Sequence, residues 1–242
     1  MKKSTAVVSF MAMFGALLVG FGARDLRAQE GSGASQSAVQ LPPDVHPDTL
    51  SRMPRPHRED FATEEEKQTF DRVVATQPSI KDKNGVLGPT GMRATVPAFG
   101  EEYRKLGRLV HSKNSLGPAM VELVSMVAIR ESDTPPEWGG HATNGIKLLG
   151  PRVVEVIAYE EDTAGLDEKV ALVINFGRQL FHERRVSSRT FAAMEKTFGR
   201  NDTLDITLLM GYYLQNTLIY RAYDQRPEPN NPAFTGKVPV WW

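Results

Sequence analysis

Two residues of this chain stand where proton chemistry needs them. Glu122 is the one carboxylate inside the apolar run Met120–Ile129, and His141 follows 19 residues later, beyond the polar break Glu131–Asp133. A carboxylate in an apolar helix must be ion-paired, hydrogen-bonded or protonated, because burial without a partner costs several kcal/mol. The same burial can tune the group for acid/base work, so both readings stay open for Glu122. An imidazole is the side chain best suited to carry a proton near neutral pH, and His141 is the candidate donor. Glu137 lies at i−4 from His141, on the same helix face, and is a third candidate. Its alternative role is local: Thr134-Pro135-Pro136-Glu137 has the form of a capping box, in which the Glu bonds back to the Thr amide. Trp138 is a packing or pocket-wall aromatic. Glu122, Glu137 and His141 could in principle make a facial metal site, but no H-x-x-x-H, H-E-x-x-H or E-x-x-H pattern accompanies them, so no metal is expected.

The elements that must position these groups are helical. Thr63-Glu64-Glu65-Glu66 is a capping box that opens a helix through Phe70 and Val74. The segment from Gln77 to Pro97, with Gly85, Gly88, Pro89 and Gly91, reads as a long loop of the kind that often carries function. Arg93, within it, is a candidate for holding an anionic substrate. Helices are expected from Pro97 to His111, over Met120–Arg130, from Thr134 to Leu149 and over Val153–Tyr159. Others follow over Asp167–Arg184, from Ser187 or Ser188, and from Asp202 or Thr203 to Tyr223. His111 suits a helix C-terminus as a cation, and His182 reads as a solvated helix end. Gly211 inside the last helix predicts a close helix contact, with Tyr212 lining the resulting cavity. The fold class is all-α, about eight helices in antiparallel hairpins.

Composition bounds the rest. The chain of 242 residues has no cysteine, which excludes disulfides, thiolate metal sites and thiol nucleophiles. Lys2 and Lys3 precede an uncharged apolar run of 17 residues, Ala6–Gly22, with Ala28 at a cleavage position. Residues 1–28 therefore read as a signal peptide, or as a retained N-terminal anchor, and predict export to a periplasm or beyond. Membrane association is expected only if that segment stays uncleaved. Removing it takes away Lys2, Lys3, Arg24 and Arg27 against Asp25, so the formal charge goes from 0 to −3, which speaks against nucleic acid as a partner. Residues 29–57, rich in Gly, Ser, Gln and Pro, read as a disordered linker. One domain is expected over 58–226, followed by a Pro-rich tail, 227–242, that packs its terminal Trp241-Trp242 on a groove.

With these residues in place, the chain resembles the carboxymuconolactone decarboxylase-like family of the alkylhydroperoxidase D-like superfamily. The resemblance rests on Glu64–Pro89, on Leu116–Ile129 and on Glu137-Trp138-Gly139-Gly140-His141, which matches the E-W-x-x-H motif of a cysteine-free branch. Arg184-Arg185-Val186-Ser187 and Gly211-Tyr212-Tyr213 extend it to residues 60–228. The superfamily's thiol peroxidases carry E-x11-C-x2-C-x3-H; here Glu122 and His141 hold the ends, and Thr134 and Glu137 stand at the cysteine positions. The resemblance implies a cofactor-free lyase or isomerase acting on a small carboxylate such as a γ-carboxy lactone. His141 would be the donor, oriented by Glu122, with Arg93 on a substrate carboxylate and Trp138 and Tyr212 as further substrate-binding candidates. It also implies a homo-oligomer, trimeric or hexameric. The alternative is a non-catalytic helical oligomer that binds a small ligand or a protein partner.

Overall fold

The computed structural model of the chain describes residues 41–75, 81–82, 85–86, 88–228 and 231–242. The N-terminal segment read as a signal peptide lies outside them. The helices are α1 (Glu64–Ala75), α2 (Gly88–Ala94), α3 (Pro97–Ser112), α4 (Pro118–Glu131), α5 (Pro135–Leu149), α6 (Pro151–Ala158), α7 (Glu168–Arg178) and α8 (Ser188–Ala222). Two-residue strands, β1 (Lys81–Asp82) and β2 (Gly85–Val86), pair antiparallel between α1 and α2. The all-α expectation holds. Where a loop was expected before Pro97, the chain instead forms this small ribbon and α2. Its glycines and Pro89 sit in the first helical turn, where a missing donor costs nothing. Among the described residues, no helix is long and apolar enough to cross a membrane.

α4 is the centre of the domain. Gly117, at φ 77°, turns the chain into Pro118 at the first helical position. Every residue from Leu123 to Ile129 is fully buried, so the helix is apolar on all sides and packs against α5, α7 and α8. Each such Leu, Ile or Met contributes about 1.5–3 kcal/mol by leaving water. A smaller core of Phe70, Val73, Val74 and Ala94 joins α1 to the end of α2. The Thr63 capping box forms as read, with the Glu66 carboxylate accepting from the Thr63 amide at 3.0 Å.

Three local readings change. α7 does not run on as an α-helix to Arg184; Gln179–Glu183 form a π-helical turn, closed by Arg184 at φ 56°. The span α8 holds the two expected helices, separated by a break at Gly199 (φ 78°, ψ 170°), but the second begins there and not at Asp202 or Thr203. Asp202 accepts from the Ser115 hydroxyl, and Thr203 donates to the Gly199 carbonyl, so neither residue is the helix cap. Gly211 is exposed and a Cβ there would meet nothing. The close contact sits instead at Gly107 on α3, where a Cβ would come 2.9 Å from the Tyr212 hydroxyl.

The folded unit is larger than 58–226. Segment 41–57 belongs to the same compact unit as the helices. It is held through its backbone: the Arg52 amide donates to Tyr223 at 2.7 Å and the Arg226 amide to Leu50 at 2.9 Å. The polar composition that suggested a linker hides this, because the segment is secured by hydrogen bonds rather than by a large apolar face.

Gly177 shows how closely α7 meets α4. A Cβ on it would overlap Val127 Cγ1 and reach within 3.2 Å of Met210 Cε. Valine has few rotamers to escape with. Gly177→Ala is therefore expected to destabilise the fold despite the better helix propensity of alanine, by about 1 kcal/mol net. A raised or unchanged denaturant midpoint for this variant would refute the packing argument.

Candidate active site

Glu122 and His141 come together. Glu122 sits in the first turns of α4 and His141 two turns into α5, so the α4–α5 hairpin alone sets their distance. His141 Nδ1 lies 2.6 Å from Glu122 Oε1, with the carboxylate 12% and the imidazole 26% exposed. The contact is therefore reachable from solvent, not sealed in the core. The pair does not stop there. His141 Nε2 is 3.2 Å from the hydroxyl of Tyr213 on α8, and that hydroxyl is 2.9 Å from His111 Nε2 on α3. His111 Nδ1 lies 2.7 Å from the Gly107 carbonyl oxygen.

The donors in this row follow from its fixed end. A carbonyl oxygen only accepts, so His111 carries its proton on Nδ1. Burial holds the His111 imidazole toward its neutral form, the opposite of the cationic helix end expected from its position. Neutral His111 must then accept the Tyr213 proton at Nε2. The Tyr213 hydroxyl has no second proton, so His141 Nε2 donates to it. Glu122 and His141 Nδ1 are left sharing one proton at 2.6 Å. Burial pushes the Tyr213 hydroxyl well above the ordinary tyrosine range, so it relays as a neutral group, not as a phenolate.

Glu137 is placed differently from the capping-box reading. Thr134 makes no side-chain cap; its hydroxyl bonds Thr217 at 2.6 Å and Ser132 at 3.1 Å. The Glu137 carboxylate turns inward instead. Oε1 accepts from Asn216 Nδ2 at 2.8 Å and from the Tyr220 hydroxyl at 3.0 Å, and Oε2 is buried with no hydrogen-bond partner. Burial pushes the Glu137 carboxyl above its usual range, opposed first by the charge of His141.

Asn216 ties Glu137 to Arg93. Its Oδ1 accepts from Arg93 Nη1 at 2.8 Å and from the Tyr103 hydroxyl at 2.7 Å. Arg93 also lies over the Tyr103 ring, 4.6 Å from its centroid, and Tyr103 stacks on Tyr212 at 4.6 Å. Beyond these rings is a cavity of about 290 Å³, walled in part by Arg93, Arg104, Arg108, His111, Tyr103 and Tyr212. Tyr212 thus reaches a cavity, as does Arg93. His141, Glu122 and Glu137 do not line it; His111 does, and it is the link between the cavity and the acid/base pair.

Trp138 is fully buried away from this cavity. Its indole N–H donates to the Pro239 carbonyl at 2.6 Å, and its ring meets Trp241 edge-on at 4.9 Å. Trp241 also donates to Asp133 at 2.9 Å and lies under the Arg130 guanidinium. The tail packs on the groove of its own chain. Removing residues 238–242 would uncover Trp138 and delete the buried Val238, a loss of about 2 kcal/mol. A fall of roughly 4–8 °C in Tm is expected, with red-shifted tryptophan emission. An unchanged melt would show that the tail contributes no stability.

His182 is not a free helix end. The π-helical turn of α7 brings its Nε2 to 2.8 Å from Glu131, whose side chain is fully buried. Glu131, Glu160 and His182 offer ligand atoms within 4.8 Å of one another. Two guanidiniums already face the carboxylates, Arg178 at 3.5 Å from Glu131 and Arg130 at 3.3 Å from Glu160. Burial holds the Glu131 carboxyl above its usual range even so. The cluster is a compensated ion-pair network that fastens α4 to α7.

Sequence reasoning missed Tyr213, Asn216 and Tyr220 on α8, and Arg104, Arg108 and His111 on α3. A signal for them exists. Tyr213, Asn216, Thr217 and Tyr220 recur at i, i+3, i+4 and i+7, a polar stripe on the buried side of α8. Arg104, Arg108 and His111 repeat on one face of α3 in the same way.

No family model and no curated protein matches the chain. Among solved structures it is similar to the crystal structure of an alkylhydroperoxidase AhpD core, an uncharacterized peroxidase-related protein from Ralstonia eutropha. The two share 16% identity with a TM-score of 0.58, over 81% of this chain and 100% of that one. At that identity the likeness establishes the fold, an alkylhydroperoxidase D-like arrangement of helices, and nothing finer.

Proposed function

We propose that this alkylhydroperoxidase D-like chain is a carboxymuconolactone decarboxylase-like lyase or isomerase, acting by proton transfer on a small carboxylated, lactone-like substrate. The observation that carries this reading is the Glu122–His141 contact at 2.6 Å, in solvent reach and joined to a second imidazole through Tyr213. A thiol peroxidase of this fold needs a cysteine nucleophile, and the chain has none. Loss of CO2 breaks one C–C bond and leaves its electron pair in the conjugated carbonyl system. The resulting carbanion needs one positioned proton, and the dyad holds one. His141 is the donor and Glu122 orients its ring. Arg93 and its neighbours Arg104 and Arg108 supply the positive charge that holds a carboxylate beside the site. Neither a metal nor an organic cofactor is invoked in these steps.

The assembly is proposed to be a homo-oligomer, a trimer or hexamer. Leu204, Leu208 and Leu218 are exposed on α8, each by more than half, and Leu106 and Leu109 are exposed on α3. The N-terminal pattern supports export. The functional reading is tested by screening purified residues 29–242 against a metabolite library, by melting shift and then by mass spectrometry for turnover. Carboxylates that bind and lose 44 mass units, about one CO2, are the expected result. Ligands that bind and are recovered unchanged, with His141→Ala binding them equally, would favour the alternative of a non-catalytic binding protein.

A further inference from the structure

The arginine cavity and the dyad are two places joined by a hydroxyl. Among the described residues, Arg104 and Arg108 make no ion pair, and Arg104 Nε is buried without a hydrogen-bond partner. Arg93 is bonded to Asn216, which separates it from the Glu137 carboxylate, and Arg104 feels Glu101 from its own helix. Three guanidiniums around about 290 Å³ still favour a small anion, and a second charge on it gives each a share. On the cavity wall, His111 is faced by Arg104 and Arg108 from its own helix and by Tyr212 and Tyr213 from α8. His141 and Glu122 stand behind Tyr213, from α5 and α4.

We propose that the cavity binds a small dianion, a dicarboxylate or a phosphate, and that its binding draws the proton of the Glu122–His141 dyad to His111 through Tyr213. Before the dianion binds, His141 Nε2 donates to Tyr213, and Tyr213 donates to His111 Nε2. A dianion beside His111 favours the imidazolium there. The Tyr213 proton then passes to His111 Nε2 and the His141 Nε2 proton passes to the Tyr213 oxygen. Two O–H or N–H bonds form and two break, and one positive charge moves from the dyad to the cavity wall. His141 is left with a bare Nε2 and its remaining proton on Nδ1, facing the Glu122 carboxylate. No heavy atom need move, because each step runs along a contact of 2.9–3.2 Å already in place. By this account His141 is the source of the proton, and His111, on the cavity wall, is the group that presents it to the substrate. The inference rests on the proposed acid/base reading only for what the dyad does with its proton.

The experiment needs no turnover. Full-length protein is titrated at constant ionic strength with succinate, with inorganic phosphate and, as the singly charged control, with acetate. Binding is measured by calorimetry and the imidazole nitrogens by NMR, His111 being assigned with His111→Gln. At least one dianion is expected to bind, roughly tenfold or more tighter than acetate, with Arg104→Gln and Arg108→Gln each weakening it by roughly tenfold or more. The tighter of the two dianions tells a dicarboxylate site from a phosphate site. On binding, His111 Nε2 gains a proton and His141 Nε2 loses one, with no net proton uptake from buffer. In Tyr213→Phe the dianion still binds, but the His141 signals stay fixed and any proton on His111 comes from buffer. Equal binding by the arginine variants, or dianion binding that leaves His141 unmoved in the unaltered protein, overturns the proposal. Either failure leaves the catalytic reading of the dyad standing, since that reading is judged by turnover in His141→Ala.

Discussion

His141→Ala lowers turnover of a cognate substrate by roughly 10²–10⁴-fold, the usual contribution of a positioned general acid or base. The geometry sets the order of the neighbouring variants. Glu122→Gln keeps an acceptor oxygen for His141 Nδ1, and therefore much of the ring's orientation, but removes the negative charge 2.6 Å away. Its effect on rate is smaller than that of His141→Ala. Steady-state rates of the two variants check this order. A Glu122→Gln enzyme as slow as His141→Ala, or slower, would make Glu122 the reacting group and His141 its support.

Much of this site was legible before any coordinates, and the reasons differ by residue. Glu122 stands out because an acid in an otherwise apolar helix has few ways to be tolerated, and the short break after α4 leaves His141 little choice of position. The helices themselves are marked by Pro at their first positions and by the Thr63 and Asp167 caps, which are local and therefore readable. Three-dimensional neighbours are not. Thr134 and Glu137 have the spacing of a capping box, yet their side chains are taken by Thr217, Asn216 and Tyr220, more than 75 residues away. The long-range partners outcompete the local motif, because a buried network satisfies more polar atoms than an exposed cap does. His111 was misjudged for a related cause. The helix dipole argues for a cation at that position, but it acts weakly against the desolvation that α8 imposes through Tyr212 and Tyr213. Segment 41–57 is hidden from composition because its anchors are backbone hydrogen bonds, whereas the packing of the tail's tryptophans on a groove is legible from the rings themselves.

The largest stability effect is expected at Glu137. Glu137→Ala leaves Asn216 Nδ2 and the buried Tyr220 hydroxyl without their acceptor. Each orphaned donor costs about 1–3 kcal/mol, and the void adds to this, so a loss of about 3–5 kcal/mol is expected. Glu137→Gln separates charge from shape. The amide oxygen still accepts both bonds, and the group no longer titrates. The sign follows from the wild-type carboxyl, which burial holds above its ordinary value of 4.5. A raised carboxyl stabilises the fold fully below the unfolded value, and that contribution is lost as pH rises through the folded value. Wild-type protein therefore loses stability over this window relative to Glu137→Gln, which has no such loss. Denaturant unfolding of both between about pH 4 and pH 8 should show the variant gaining on the wild type as pH rises. Glu131 is raised in the same direction but is present in both proteins, so it cancels in the difference. A difference that stays constant across the range would mean that Glu137 is ionised in the fold throughout. The charge of His141, the largest influence opposing burial at Glu137, would then have won. In that case His141→Ala should itself restore the pH dependence.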